Sequence, residues 1–232
     1  MYAISLTSIP PRFSRLRPVL QSLLAQDPAP AHIYLYLPQR YHRFPGPFTL
    51  PELPLGITLL RPETDLGPAT KALPAARALA GSGTKLIYCD DDWLMPPYWA
   101  ARLLTAQHDH EAVTGSGYAV DRLARISRTG AGMADIAQGF SGVLVDPHWL
   151  TGSDLTPPAD AWPVDDIWLS GQLARQGIAI RLATGARDGM RLAYEDTHGL
   201  QDVNIGGCSR DAANRACVEL LHSKYGIWPP AT

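Results

Sequence analysis

The sequence is poor in several features that define whole classes of protein. Its 232 residues contain three cysteines and no C-x-x-C pair, and so sparse a count favours a reducing compartment over a disulfide framework. The net charge is also small, because 20 Lys and Arg nearly balance 22 Asp and Glu. This near balance gives no support to a nucleic-acid partner. No apolar run reaches the roughly 18 residues that a membrane helix needs.

These absences predict a cytoplasmic protein. The first residues, "MYAISLTSIPPR", have no basic stretch ahead of the apolar ones and continue as a strand pattern, so they do not resemble a signal peptide. We expect no transmembrane segment, and peripheral association with a membrane stays open. The composition, 46% hydrophobic and 18% charged, is that of an ordinary globular protein.

What the first half contains is an alternation of strand and helix patterns. Apolar runs typical of strands cover 2–9, 32–38, 56–62 and 84–90, and helical patterns cover 14–26, 67–80 and 98–107. Ser14 is a candidate cap of the first helix. Pro68 suits the first turn of the second helix, which Pro74 should kink or shorten. The alternation predicts an α/β fold with an open, twisted, mostly parallel, Rossmann-like sheet flanked by helices.

The second half is less regular and predicts a mixed extension of the sheet. Strand patterns cover 112–120, 140–147 and 178–183, and helical patterns cover 164–177 and 209–226. Gly177 can end the first of these helices and Ser209 can cap the second. We therefore expect one domain over 1–232, made of two halves at 1–110 and 111–232.

Three consecutive aspartates follow the fourth strand pattern, where open α/β sheets bind ligands. In an extended chain Asp90 and Asp92 project to the same side, while Asp91 faces away. No Lys or Arg lies between Leu86 and Ala101 to neutralise them. Two converging carboxylates suit Mg²⁺ or Mn²⁺, which takes its other oxygens from water and phosphates. The alternative is that these aspartates cap the next helix or solvate a loop.

Four segments, in this order, resemble the glycosyltransferases of the GT-A fold, in particular the broad family-2-like group. They are "SLTSIPPRF", "TDLGPATKALPAA", "YCDDDW" and "VDDIWLSGQL". The D-x-D-type triplet and the D-x-G-x-x-x-K element before it are the most specific. The resemblance implies a GT-A-type sheet, with a nucleotide-binding half at 1–110 and an acceptor and catalytic half at 111–232.

The resemblance also implies an activity, that of a metal-dependent hexosyltransferase of polysaccharide biosynthesis. Such an enzyme moves a sugar from a nucleoside-diphosphate-sugar, for which we favour a UDP-sugar, to a hydroxyl of a glycan or a lipid-linked glycan. The expected cofactor is Mn²⁺ or Mg²⁺.

By this resemblance, the end of the first strand begins the nucleotide pocket. Thr7 and Ile9 would frame the base, and Arg12 would reach a phosphate. The alternative is a plain turn that Pro10 and Pro11 enforce.

The D-x-G-x-x-x-K element supplies three further nucleotide-binding candidates. By similarity Asp65 would accept hydrogen bonds from the nucleobase or the ribose, although it could instead cap the helix that starts near Pro68. Gly67 would let the backbone approach the ligand closely. Lys71 would place its ammonium near the diphosphate, or else be a solvated surface lysine.

The triplet and a distant histidine supply the metal-site candidates. The resemblance implies that Asp92 ligates the metal and that Asp90 contacts the ribose or shares the metal. Asp91 is assigned to the nucleotide-binding set. Several metal-dependent relatives bring a histidine back to the cation, and His198 matches that position, since imidazole suits Mn²⁺. A surface or loop histidine is the alternative.

A second acidic pair, Asp165–Asp166, opens the helical pattern at 164–177. In the family an acid here deprotonates the acceptor hydroxyl, and we prefer Asp166 because the base is usually second. Acids in a first helical turn are also favoured by the helix dipole alone. If one of these aspartates acts as the general base, the transfer inverts the anomeric centre. If neither aspartate reaches the acceptor, a retaining mechanism is equally open.

Two other residue sets stay candidates for sugar contacts. Trp162 and Trp168 could wall a sugar site, although core packing is commoner for tryptophan. By similarity to the family, the run 138–145 would pass beneath the donor sugar, with Gly139 and Gly142 allowing close approach.

Two other functions compete with glycosyl transfer. A nucleotidyltransferase that makes nucleotide-sugars would need a glycine-rich triphosphate loop after the first strand, and "SIPPRFSRLRP" contains no glycine. A non-catalytic domain that binds nucleotide or glycan is the other alternative.

Overall fold

The chain folds around an eight-stranded, mostly parallel sheet, as the sequence predicts. The computed structural model describes residues 1–127, 129–195, 198–199 and 209–229. The strands within these residues are β1 (Tyr2–Thr7), β2 (His32–Tyr36), β3 (Ile57–Leu60), β4 (Lys85–Cys89), β5 (Trp93–Leu94), β6 (Glu111–Thr114), β7 (Gly117–Tyr118), β8 (Met133–Ala134), β9 (Ile136–Ala137), β10 (Val143–Val145), β11 (Ala179–Leu182) and β12 (Arg191–Leu192). The helices are α1 (Leu16–Leu24), α2 (Leu73–Leu79), α3 (Trp99–Ala106), α4 (Asp165–Ala174) and α5 (Arg210–Tyr225).

The order of strands in the large sheet is β3-β2-β1-β4-β10-β6-β11-β8. The four strands of the first half are parallel to one another, and β6 is parallel to β11. Strand β10 is antiparallel to both β4 and β6, and β8 is antiparallel to β11. The second half therefore extends the parallel sheet in mixed orientation. Its division from the first half at residue 110 stays a prediction.

Helices cover both faces of the sheet because the central strands are apolar on both sides. Strand β1 is buried along almost its whole length, and its side chains alternate between two cores. Ile4 and Leu6 join the core under α1 and α3, while Ala3 joins the core under α2, α4 and α5. Continuous apolar strands of this kind are typical of parallel sheets with helices on both faces.

The first helix begins later than the sequence predicts. Pro10 opens a 3₁₀ helix, Pro10–Arg15, which contains Ser14 and runs directly into α1. The predicted Ser14 cap is therefore wrong, and Arg15, without a side-chain capping bond, precedes the helix. Proline pre-sets the backbone angle of a first helical turn, so the two prolines start the turn before the serine can.

The second helical pattern divides, as Pro74 predicts. Residues Gly67–Lys71 form a 3₁₀ helix, and α2 starts at Leu73 with Pro74 in its first turn. A proline there lacks an N–H that the first turn would leave unpaired anyway, so the break falls before Pro74. At the other end of the chain Ser209 caps α5, its hydroxyl accepting a hydrogen bond from the Ala212 N–H, as predicted. None of the helices in the described ranges has the length and apolar character needed to cross a bilayer.

Candidate active site

A cleft of about 690 Å³ opens at the carboxyl ends of the parallel strands β1 and β4. The catalytic, nucleotide-binding and metal candidates all line it: Thr7, Ile9, Arg12, Asp65, Gly67, Lys71, Asp90, Asp91, Asp92, Asp165, Asp166 and His198. The fold thus brings together residues that lie up to 191 positions apart in the sequence. Their individual roles toward a ligand stay predictions.

The three aspartates after β4 meet different partners. Asp91 is buried, and its carboxylate lies 2.5 Å from the Arg12 guanidinium and accepts a hydrogen bond from the Ser8 hydroxyl. Asp90 lies 2.5 Å from the Lys71 ammonium. The cations missing from the local sequence therefore come from the 3₁₀ helices Pro10–Arg15 and Gly67–Lys71.

Asp92 differs from both neighbours because one of its oxygens has no partner. Its Oδ1 is buried without a hydrogen bond, and its Oδ2 is 3.9 Å from the Arg12 guanidinium. The side chain is 23% exposed, so the cleft reaches it. Burial and the charges of Asp90 and Asp91 raise the pKa of Asp92 to about 7. A nearby cation would stabilise the ionised form of such a half-buried carboxylate.

The backbone around Asp92 is fixed by a short ribbon. Strands β5 and β12 pair directly after the triplet, and the Asp92 carbonyl accepts a hydrogen bond from the Ala193 N–H at 2.7 Å. The Tyr194 hydroxyl donates to the Asp91 carbonyl at 3.0 Å. The segment after β12 therefore holds the backbone of the aspartates in place.

The residues at hand fit a divalent cation that is shared with a ligand. Within the described ranges, no group of three or more His, Cys, Asp and Glu side chains is arranged to hold a metal by itself. Mg²⁺ does not require one, because it binds through one or two carboxylates, water and substrate phosphates. The unpartnered oxygen of Asp92 is the donor that this chemistry needs. His198 lines the same cleft, with its carbonyl bonded to Arg43 and its ring 6.1 Å from that of Phe44.

The acidic pair at the start of α4 divides into a buried, ion-paired carboxylate and a partly exposed one. Asp165 is buried, with its carboxylate 2.7 Å from the Lys71 ammonium. Asp166 is partly exposed, and its Oδ1 accepts the Gly139 N–H at 2.9 Å. Burial and the Asp165 charge raise the pKa of Asp166 to about 7, against the opposing effect of Lys71. A carboxylate with such a pKa can accept a proton near neutral pH.

Lys71 is buried rather than solvated. Its side chain is 2% exposed and stands between Asp90 and Asp165. Burial alone would lower the pKa of Lys71, but the two carboxylates outweigh it and raise that pKa well above the ordinary value. The surface-lysine alternative is therefore wrong, while a contact with diphosphate stays a prediction.

Asp65 and Gly67 have structural tasks at the mouth of the cleft. The Asp65 carboxylate accepts backbone N–H bonds from His42 and Gly67, both at 2.8 Å. Gly67 has a φ of +60°, and a Cβ there would lie 2.6 Å from the Trp162 ring. Asp65 thus bonds the N–H of the first residue of the 3₁₀ helix from the position before Leu66, which is the capping residue and has no side-chain capping bond. Its role toward a nucleotide stays a prediction. Gly67 permits the approach of Trp162, a residue that lines the cleft.

The remaining candidates divide between the cleft and the core. Thr7 ends β1, and its hydroxyl donates to the Tyr36 carbonyl at 2.7 Å. Trp168 is fully buried, with its indole N–H bonded to the Leu155 carbonyl. Core packing, the commoner alternative, therefore holds for Trp168, whereas Trp162 walls the cleft.

Several residues of the cleft were not predicted from the sequence. They include Tyr41, Arg43, Phe44, Trp93, Tyr118, Tyr194, Arg210, Asp211 and Asn214, whereas Phe140 belongs to the run 138–145 that was predicted to lie beneath the donor sugar. Trp93 and Phe140 stand with ring centroids 5.1 Å apart. Trp93 had a usable signal, since it directly follows the triplet. Arg43 and Phe44 had none, because they lie in an irregular loop between β2 and β3.

The sheet order and the cleft at the ends of its parallel strands define a GT-A-type fold. The chain matches the crystal structure of glucosyl-3-phosphoglycerate synthase from Mycobacterium tuberculosis, which contains Mg²⁺ and UDP. The TM-score is 0.55 and the identity 12%, over 100% of this chain and 81% of that chain. At this identity the likeness shows the fold, and the fold predicted from the sequence is confirmed.

A looser match is galactosyltransferase LgtC in complex with donor and acceptor sugar analogs. Its TM-score is 0.47 and its identity 10%, over 99% of this chain and 97% of that chain. No protein-family profile and no curated protein sequence matches the chain.

Proposed function

We propose that the protein is a metal-dependent glycosyltransferase. It would take a sugar from a nucleoside-diphosphate-sugar, with UDP-sugars favoured, and transfer it to a hydroxyl of a glycan or a lipid-linked glycan. The observation that carries the proposal is that one cleft contains both Asp92, with its unpartnered buried oxygen, and the cleft-facing Asp166. The matched structure of glucosyl-3-phosphoglycerate synthase contains Mg²⁺ and UDP, which supports the choice of ligand.

In the proposed reaction Asp166 is the general base. Its carboxylate takes the proton of the acceptor hydroxyl, whose oxygen forms a bond to the anomeric carbon. The bond from that carbon to the diphosphate oxygen breaks, and the diphosphate leaves with the electron pair. Attack from the face opposite the leaving group inverts the anomeric centre. The pKa of Asp166 suits this role because a base works best when its pKa is near the operating pH.

Asp92 would hold the divalent cation, with Asp90 and His198 as further candidates in the same cleft. When bound, Mg²⁺ or Mn²⁺ would stabilise the negative charge that develops on the leaving diphosphate. Thr7, Ile9 and Arg12 at the end of β1 would accommodate the nucleotide. The Trp93 and Phe140 rings offer apolar faces of the kind that sugars contact. The sparse cysteines support a cytoplasmic location.

A thermal-shift panel tests this function. We expect UDP to raise the melting temperature strongly with Mn²⁺ and weakly without it, because a ligand that binds only the native state stabilises it by mass action. GDP, CMP and UTP serve as competitors. A preference for UTP with a sugar 1-phosphate would instead indicate a nucleotidyltransferase. UDP binding without turnover of any UDP-sugar would indicate a non-catalytic binding domain.

The metal assignment has its own variant. Asp92→Asn should abolish the Mn²⁺-dependent part of the UDP shift, because the amide is a much poorer ligand for a hard cation. Asp109→Asn, in the exposed turn before β6, is the matched control. A full UDP shift with Mn²⁺ in the Asp92 variant would remove Asp92 from the metal site.

A further inference from the structure

The Lys71 ammonium joins four segments of the chain that are far apart in sequence. It lies 2.5 Å from Asp90 after β4 and 2.7 Å from Asp165 at the start of α4. Gly139, which begins the 3₁₀ helix Gly139–Ser141, is the third neighbour. Lys71 itself ends the 3₁₀ helix before α2. One buried cation therefore connects both acidic motifs of the cleft.

The lack of a side chain at Gly139 leaves the space that this ammonium fills. A Cβ on Gly139 would lie 2.6 Å from the Lys71 Nζ and 3.1 Å from the Asp90 Oδ1. The backbone of the same glycine accepts the Asp90 N–H at 3.3 Å and donates to Asp166 at 2.9 Å. A side chain at this position would therefore force the ammonium of Lys71 to shift from its place between the two carboxylates. The backbone of Gly139 therefore fixes the positions of Asp90 and Asp166 relative to each other.

The Lys71 ammonium is already paired with two carboxylates, which limits its contact with a bound ligand. An ammonium that is 2% exposed and paired twice offers little to a diphosphate in the cleft. Removing it would leave Asp90 and Asp165 as two buried or half-buried charges that repel each other. Both acids would then move apart or take up protons.

We propose that Lys71 is a positioning residue for glycosyl transfer, holding Asp165 away from the acceptor so that Asp166 alone faces it. The same ion pair fixes Asp90 beside Asp92. This inference rests on the proposed function, which it deepens. It replaces the direct diphosphate contact expected of Lys71 from the sequence with an indirect effect through two carboxylates.

The test is a double-mutant cycle of Lys71→Met and Asp165→Asn. For wild type, both single variants and the double variant, we would measure UDP affinity in Mg²⁺ by calorimetry and UDP release from UDP-glucose. We expect each single variant to lower the turnover rate about tenfold or more while UDP affinity changes by less than about threefold. The double variant should be no slower than Lys71→Met, because both substitutions break the same Lys71–Asp165 ion pair.

Gly139→Ala is a second route to the same disruption. It keeps every charge but displaces the ammonium, so it should also lower turnover and spare UDP affinity. It carries the test if Lys71→Met does not fold. The controls are Gly130→Ala, where a Cβ meets nothing within 4 Å, and Lys85→Met, at the opposite end of β4 from Asp90. Both controls should behave as wild type.

Two results would overturn the proposal. If Lys71→Met weakens UDP binding about tenfold or more while Asp165→Asn does not, then Lys71 contacts the diphosphate directly. If both variants keep wild-type turnover, the ion pairs position nothing that the reaction needs.

Failure of the proposed function would look different. Wild type would then neither bind UDP with Mg²⁺ nor release UDP from UDP-glucose. In that case the free energies of unfolding, measured in urea, complete the cycle. A loss in the double variant that is smaller than the sum of the losses in the two single variants supports the Lys71–Asp165 link. Fully additive losses would refute it.

Discussion

At the scale of single residues, Asp166 carries the heaviest chemical task. Asp166→Asn keeps the oxygen that accepts the Gly139 N–H but removes the proton acceptor. We expect UDP binding to stay within about twofold and transfer to fall by about two to four orders of magnitude. Radiolabelled sugar transfer and calorimetry would measure the two effects, with Asp109→Asn as control. Transfer at the wild-type rate would exclude Asp166 as the base.

The pH dependence of the wild-type rate offers a second test of the same residue. Burial and Asp165 raise the pKa of Asp166 to about 7, so much of the base is protonated and inactive below that pH. We therefore expect kcat to rise with pH through about 7 and then level off. A stopped assay between pH 5.5 and 8.5 would show this limb. A rate that is flat down to pH 5.5 would contradict the assignment.

At the scale of elements, Arg12 joins the 3₁₀ helix Pro10–Arg15 to the end of β4. Its partner Asp91 is buried and carries a charge that no other described cation approaches as closely. We expect Arg12→Met to lower the free energy of unfolding by about 3–5 kcal/mol, because it leaves a buried carboxylate without its cation.

The control for that prediction lies five residues further along the chain, in α1. Arg17 is 54% exposed and lies 3.9 Å from Glu52, so Arg17→Met should cost less than about 1 kcal/mol. Urea unfolding of both variants measures the contrast. Equal losses in the two variants would mean that the Arg12–Asp91 pair does not stabilise the fold beyond a surface ion pair.

The elements also show how far the sequence alone predicts this structure. The strands β1, β2, β3 and β4 and the helix α4 follow from apolar runs and helical spacing, which are local patterns. The burial of Lys71 does not, because its partners Asp90 and Asp165 lie 19 and 94 positions away and only the tertiary fold brings them together. The same holds for Arg12 and Asp91, 79 positions apart. Residue types therefore predicted which side chains would line the cleft, but not their pairing.

At the scale of the whole molecule, the cleft concentrates carboxylates that burial disfavours as charges. The pKa values of Asp92 and Asp166 are both raised to about 7, above their unfolded values near 4. Between about pH 4 and 7 the native state therefore binds more protons than the unfolded state. Its stability should fall as pH rises through this window.

Melting temperatures between pH 5 and 8 without divalent cations measure this effect. We expect the double variant Asp92→Asn and Asp166→Asn to show a smaller decline than the wild type, since it lacks two of the three cleft carboxyls, Asp91, Asp92 and Asp166, whose pKa burial raises. Adding Mg²⁺ and UDP at pH 8 should restore stability to the wild type, because the cation favours the ionised carboxylate of Asp92. A wild-type decline equal to that of the double variant would show that other groups cause it.

The most direct measurement for the whole account is the anomalous signal of manganese in crystals grown with UDP. We predict one Mn²⁺ bonded to an Asp92 carboxylate oxygen and to diphosphate oxygens of UDP, with the Lys71 ammonium still between Asp90 and Asp165. UDP bound elsewhere on the molecule, or bound in the cleft while Mn²⁺ is absent from Asp92, would contradict the account.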